Sequence, residues 1–257
     1  VEVFQEGQTM KVIYVLWLRQ LKRYFRSRTR IIGSLGQPLL FLVALGFGFG
    51  PIYTKAGGGD YIQFLAPGII AMSILFMATF SGIEVLWDRQ FGFLKEILVA
   101  PVSRLHIMIG RTLGGATVAV FQGTIVFLLS LLFGFRPTNL ALLPLALVYM
   151  GLIAIMFTAL GTAIASFLED MQGFQLIINF LIMPIFFLSG ALFPLQSLPK
   201  AVAFVSIMNP LTYGVDGLRG ILINATHLGL ITDFTILVVV ATGIMAIGGY
   251  LFSKIQV

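Results

Sequence analysis

Seven basic residues lead directly into an apolar run that carries no charge at all. Lys11, Arg19, Lys22, Arg23, Arg26, Arg28 and Arg30 precede Ile31 to Ile52, where neither an acidic nor a basic side chain occurs. About 20 apolar residues in a row cross the hydrocarbon core of a bilayer as a helix, because a helix satisfies its own backbone polar groups there. Positive charge is retained on the cytoplasmic side. The junction therefore predicts an all-α, multispanning membrane protein whose N-terminus lies inside.

Composition agrees. Hydrophobic residues make up 58% and charged residues 10% of the 257, where an ordinary soluble domain carries about 25% charged residues. The net charge is +6, and the N-terminal block alone exceeds it, so the excess orients the chain and does not form a nucleic-acid face. No cysteine is present, which excludes disulfides, thiolate metal sites and a cysteine nucleophile. Val1 to Thr9 reads as a polar extension, too short and polar for a signal peptide, with Met10 a candidate natural start.

Residues 10–30 read as an amphipathic helix. Ile13, Trp17, Leu18, Leu21 and Phe25 recur at helical spacing, and Arg19, Lys22, Arg23 and Arg26 fill the opposite face. Such a helix lies in the headgroup plane; the alternative is a cytoplasmic extension of the first span. Residues 31–257 form one transmembrane domain, with spans expected at 31–52, 61–85, 105–135, 140–168, 174–193 and 231–252. Of the 16 lysines and arginines, this topology puts twelve inside and four outside. Both termini are then cytoplasmic, and the first helix contributes most of the bias.

Two connections are not simple loops. Residues 87–104 mix apolar side chains with charges on the cytoplasmic side and are broken by Pro101. Residues 194–229 join the last two spans and are too apolar for a solvated loop. Ser197 is expected to cap a short helix through Met208, Asn209-Pro210 to interrupt it, and Thr212 to cap a second through Asn224. Both helices are expected to be half-buried at the outer interface.

Catalytic constellations are missing. His106 and His227 fall on opposite sides of the membrane, so they form no metal pair. No lysine follows a glycine, so the phosphate-binding pattern GxxxxGK[ST] is absent; ATP, if it drives this protein, is bound by another chain. The centres of the spans carry no ionisable residue, which disfavours a proton relay or an ion channel. Glu84 is the nearest, close to the inner end of the second span. Gln122, Asn179, Ser81, Thr117 and Thr158 are expected to hydrogen-bond between helices, and Gly110 with Gly114 to let helices approach, within one subunit or across a dimer. Met72, Phe76, Phe80, Asn179, Phe180, Met183 and Phe187 are candidates to line a pathway for an amphiphilic or lipid-like cargo, or else to face lipid. Asn224-Ala225-Thr226 fits the glycosylation acceptor pattern, with chance occurrence the preferred reading.

Two stretches are more specific. Asp88-Arg89-Gln90-Phe91-Gly92-Phe93-Leu94-Lys95-Glu96-Ile97-Leu98-Val99-Ala100-Pro101-Val102-Ser103-Arg104 resembles the cytoplasmic signature of type-2 ABC exporter permeases. Leu188-Ser189-Gly190-Ala191-Leu192-Phe193-Pro194, on through Pro199 to Asn209-Pro210-Leu211-Thr212-Tyr213-Gly214-Val215-Asp216-Gly217-Leu218-Arg219, resembles that family's outer-face motif. The resemblance runs from about Met10 to the end and is closest to the drug-efflux and nodulation-type branch. One departure is Arg89-Gln90-Phe91-Gly92, where family members often have a glutamate before the glycine.

The resemblance implies six spans, an interfacial connecting helix, a coupling helix in the first cytoplasmic loop and re-entrant outer helices. It implies a plasma-membrane permease of two such subunits, a homodimer by expectation, served by two separate ABC ATPase subunits that bind ATP and Mg. This chain itself would hold no cofactor and bind no nucleic acid. Asp88, Arg89, Phe91, Gly92, Leu94, Lys95, Glu96, Leu98, Pro101 and Arg104 would meet the ATPase, with Phe91, Leu94 and Leu98 as the apolar face. The expected activity is export of a hydrophobic or amphiphilic, drug-like or lipid-like cargo, as in multidrug efflux. A polysaccharide or glycolipid permease of the same superfamily, a regulatory membrane protein and an intramembrane enzyme are the competing readings.

Overall fold

The computed structural model describes residues 2–57, 59–94, 103–195 and 199–254, with the backbone alone for residues 2–9. They fold into helices α1 (Glu2–Arg26), α2 (Arg28–Lys55), α3 (Tyr61–Phe80), α4 (Ile83–Gln90), α5 (Arg104–Leu132), α6 (Leu143–Phe167), α7 (Met171–Phe187), α8 (Lys200–Met208), α9 (Pro210–Ile223) and α10 (Leu230–Ser253). Among the described residues no strand occurs. The chain is an all-α membrane protein.

The amphipathic helix differs at both ends from its expected limits. The stretch before Met10 is already helical, and α1 stops at Arg26, short of residue 30. Ser27 leaves helical geometry, and its hydroxyl accepts from the Arg30 amide at 3.4 Å, so Arg28 and Arg30 open the next helix. α1 packs lengthwise on α5. A Cβ on Gly110 would stand 3.1 Å from the Ile13 Cα, and one on Gly114 would stand 2.6 Å from Gln20 Cγ. The small-residue pair thus serves packing within one chain.

α3 is the axis of the bundle. In the most apolar stretch of Tyr61–Gln90, 83% of residues are buried, against 17% in the corresponding stretches of α2 and α10. Those two helices turn most of their surface outward, as lipid-facing helices do. Asp60 starts α3 by accepting from the Ile62 amide at 2.9 Å, and Asn139 does the same for the turn before α6, accepting from Ala141 at 2.9 Å. α3 gives way to α4 at Ser81-Gly82, where a side chain on Gly82 would strike the Gly161 backbone of α6.

Among the described residues five helical segments are long and apolar enough to cross a membrane: α2, α3 with α4, α5, α6 with its preceding turn, and α10. The expected fifth span, 174–193, is shorter. α7 ends at Phe187 after 17 residues, about 26 Å at 1.5 Å per residue, below the ~30 Å hydrocarbon thickness. Pro184 removes a helical donor, the Ser189 hydroxyl donates back to the Phe186 carbonyl at 2.7 Å, and Gly190 takes a left-handed φ of 74°, which ends the helix.

The outer segment also differs from expectation. Ser197 lies outside the described residues, and α8 begins behind Pro199. Asn209, not Thr212, caps α9: its side chain accepts from the Leu211 amide at 3.0 Å and donates to the Ile185 carbonyl at 2.6 Å. α9 is buried from Leu211 to Leu222, while α8 exposes Phe204, Ile207 and Met208. One helix enters the core and its neighbour stays outside.

Candidate functional site

Glu84 and Asp88 stand one turn apart on α4, so both carboxylates project from the same face. Each is nearly buried, with 5% and 3% exposure. A buried carboxylate requires a charged or hydrogen-bonding partner, and here arginines from three helices supply it. Asp88 accepts from Arg19 of α1 at 2.6 and 3.2 Å and pairs with Arg111 of α5. Glu84 accepts from Arg30 of α2 at 3.0 Å, with Arg23 of α1 at 3.7 Å. Arg23 also lies over the Trp87 ring at 5.1 Å, and Arg19 over Phe93 at 5.8 Å. The adjoining ends of α1, α2, α4 and α5 are thereby fastened into one block.

Two of the expected ATPase contacts are already engaged within the chain. Asp88 holds its internal pairs. Leu94 is fully buried and packs with the core. Among the described residues at this end of α4, Phe91 and Phe93 stand out furthest, at 69% and 51% exposure, with Trp87 at 40%. Gly92 between them adopts φ 79°, a left-handed turn that ends the helix. Arg89 donates to the Leu168 carbonyl at 3.3 Å and meets Glu169 at 3.4 Å. Arg104 donates to the Ser253 carbonyl at 2.6 Å, linking α5 to the end of α10. Lys95, Glu96, Leu98 and Pro101 lie outside the described residues.

At the other end of the bundle the motif around Arg219 is a lock. Arg219 is 3% exposed; its guanidinium donates to the Gly190 and Phe64 carbonyls at 3.1 and 3.3 Å and lies 3.9 Å from the Phe64 ring centre. Burial pushes its pKa down to about 10 against the opposing pull of Asp216, so the charge persists at neutral pH. Asp216 accepts from the Thr226 hydroxyl at 2.9 Å and from the His227 and Leu228 amides at 2.9 and 2.8 Å, closing the loop before α10. Tyr213 donates to the Ile207 carbonyl at 2.7 Å, tying α9 back to α8. Ser189, Gly190, Pro199, Asn209 and Pro210 shape the surrounding turns, and Phe193 stays half exposed. Asn224 is exposed at the left-handed end of α9, with φ 54°.

The candidate pathway residues separate into two groups. Met72, Phe76 and Phe80 line a cleft of about 360 Å³ between α2 and α3. Asn179, Phe180, Met183 and Phe187 lie on the exposed side of α7 and do not reach it. Among the neutral polar residues, Gln122 accepts from Tyr24 of α1 at 2.8 Å and Thr117 from Trp17 at 3.0 Å, as expected of interhelical bonds. Ser81 bonds within its own helix, Asn179 is exposed, and buried Thr158 has no partner among the described residues. Among the described residues no group of three or more metal-ligating side chains converges.

The carboxylate block was missed in sequence because its arginines read as topogenic charge. The available signal was the four-residue spacing of Glu84 and Asp88 at the inner end of a span.

Comparison with known proteins places these features. The model of the ABC-2 type transporter family matches residues 11–223. Nodulation protein J of Rhizobium leguminosarum bv. viciae is 30% identical over 191 residues, covering 74% of this chain and 73% of that protein. The putative transport permease ycf38 of Porphyra purpurea is 30% identical over 230 residues, covering 87% and 76%. The inner membrane transport permease YadH of Escherichia coli K12 is 27% identical over 227 residues, covering 87% and 88%. The family match runs from within α1 through the carboxylate block to the end of α9, and this chain belongs to the ABC-2 type transporter family of multi-pass membrane permeases.

Proposed function

We propose that this chain is the membrane subunit of an ATP-driven exporter that moves an amphiphilic cargo outward from the cytoplasmic side. Two copies form the pathway, and two separate ABC ATPase subunits bind ATP and Mg and dock on the cytoplasmic face. Both termini lie in the cytoplasm, the membrane is the plasma membrane, and six crossings are completed by α7 with the apolar turn that follows it.

One observation carries the reading: the Glu84–Asp88 face of α4 is gripped by Arg19, Arg23, Arg30 and Arg111 directly beside exposed Phe91 and Phe93. A partner that pushes on the two phenylalanines pushes on a block that includes the starts of α2 and α5. Displacement is then transmitted to membrane helices without loss in a flexible loop. Exposed aromatic anchors beside fixed charges are the anatomy of a docking point. The amphiphilic cargo is supported by the mixed lining of the α2–α3 cleft and by the absence of charge at the span centres.

The test is copurification followed by reconstitution. A cognate ABC ATPase should copurify, and its hydrolysis should rise with amphiphilic cargo in vesicles. Failure of any such ATPase to bind, with the permease folded, contradicts the reading.

A further inference from the structure

The cleft between α2 and α3 is divided chemically. Arg30, Ser34 and Gln37 face it from α2, and Met72, Phe76 and Met77 from α3. Its volume of about 360 Å³ falls in the range of small-molecule sites, about 300–1,000 Å³. Gln122 of α5 lines it as well and is 1% exposed. The Gln122 Oε1 accepts from the Tyr24 hydroxyl at 2.8 Å and lies 3.1 Å from Ser34 Oγ. Its Nε2 has no hydrogen-bond partner among the described residues.

A buried polar group left unpaired is costly. Turning the carboxamide over exchanges an unpaired donor for an unpaired acceptor and removes nothing, since Tyr24 and Ser34 hold only one end. A hydroxyl is the simple group that serves either end, donating or accepting as needed. Arg30 already has the Glu84 carboxylate at 3.0 Å, so its charge has a counterion within the protein.

We propose that this cleft binds an amphiphile whose head carries free hydroxyl groups, with a hydroxyl on the Gln122 carboxamide and the chain along Met72, Phe76 and Met77. That the bound amphiphile is cargo rests on the transport reading above; that it binds here does not. Gly33 provides the means to close the site, because a Cβ on it meets nothing within 4 Å. A larger side chain there projects into open space beside the cleft, and replacing glycine favours the helix.

The experiment is photolabelling of the permease alone in phosphatidylcholine nanodiscs, so its failure leaves the transport reading standing. The probe is a monoacylglycerol with a diazirine in its acyl chain. Its comparators are the methyl ester of the same acid, which lacks hydroxyls, and the matching lysophosphatidic acid, which is anionic. Adducts are mapped by mass spectrometry. The monoacylglycerol should label α3 peptides containing Met72, Phe76 or Met77 about tenfold more than the ester, the equivalent of one neutral hydrogen bond.

Gly33→Phe should abolish this labelling, with Gly33→Leu as the substitute if the larger side chain prevents insertion. Gln122→Met should erase the preference over the ester. Equal labelling by probe and ester, stronger labelling by the phosphate head, or undiminished labelling in a folded Gly33 variant would overturn the proposal. With a cognate ATPase and ATP added, a transported ligand loses labelling during turnover and a resident lipid keeps it. Either outcome upholds the site and identifies the source of its occupant.

Discussion

The Arg19 guanidinium holds the Asp88 carboxylate through both terminal nitrogens, at 2.6 and 3.2 Å, across 69 residues of sequence. A two-point contact of this kind fixes orientation as well as distance. It joins the amphipathic helix α1 to α4, and Arg111 closes the other side of the same carboxylate.

Removing Asp88 leaves Arg111 buried without its carboxylate, and breaking a buried pair in this way costs about 3–5 kcal/mol. Asp88→Ala should therefore lower the melting temperature in detergent sharply. Arg19→Ala alone should cost far less, because Arg19 is partly exposed and Asp88 keeps Arg111. In a double-mutant cycle the Arg19 and Asp88 changes should be non-additive. Simple additivity would show that the contact is not a working pair.

Leu94 and Phe91 should behave oppositely. Leu94 is fully buried, so Leu94→Ala should destabilise the permease by about 2–5 kcal/mol. Phe91 is exposed, so Phe91→Ala should leave the melting temperature near wild type while weakening ATPase copurification. A stable Leu94→Ala variant that fails to bind the ATPase would return Leu94 to the docking face.

Arg219→Lys keeps the charge but loses the planar stack on Phe64. A desolvated cation–π contact contributes about 2 kcal/mol, and the outer segment should loosen by an amount of that order. Faster proteolysis between α8 and α10 in intact cells would report it. Unchanged proteolysis and melting would mean that the lock does not depend on guanidinium geometry.

The absence of native cysteine makes a topology test direct. Lys55→Cys, at the end of α2, should react with an impermeant thiol reagent in intact cells. Glu169→Cys, whose native side chain is 83% exposed, should react only after permeabilisation. Labelling of Glu169→Cys in intact cells would invert the proposed orientation.

Much of this architecture was legible because apolar length is a local signal. Capping was less so, since Thr212 was expected to open α9 and Asn209 does. The end of α7 was not legible, since Leu188 to Phe193 is as apolar as the helix before it and only Gly190 hinted at the turn. Nor was the burial of α9, because Asp216 and Arg219 look like surface charges until the 226–228 loop and the Phe64 ring are brought to them. Glu84 and Asp88 showed their shared face through spacing. Their arginine partners lie 23 to 69 residues away along the chain, and composition gives no means of matching charges over such separations.

Coupled transport by an Arg19→Gln variant tests the transmission of force most directly. Arg19 is removed from the α1–α4 contact while Asp88 keeps Arg111, so the subunit still folds and Phe91 and Phe93 still dock. Reconstituted with its ATPase, the variant should hydrolyse ATP at a near wild-type rate and bind the ATPase normally, yet move several-fold less cargo per ATP. Wild-type cargo moved per ATP in this variant would contradict a role for the arginine–carboxylate block in driving the membrane helices.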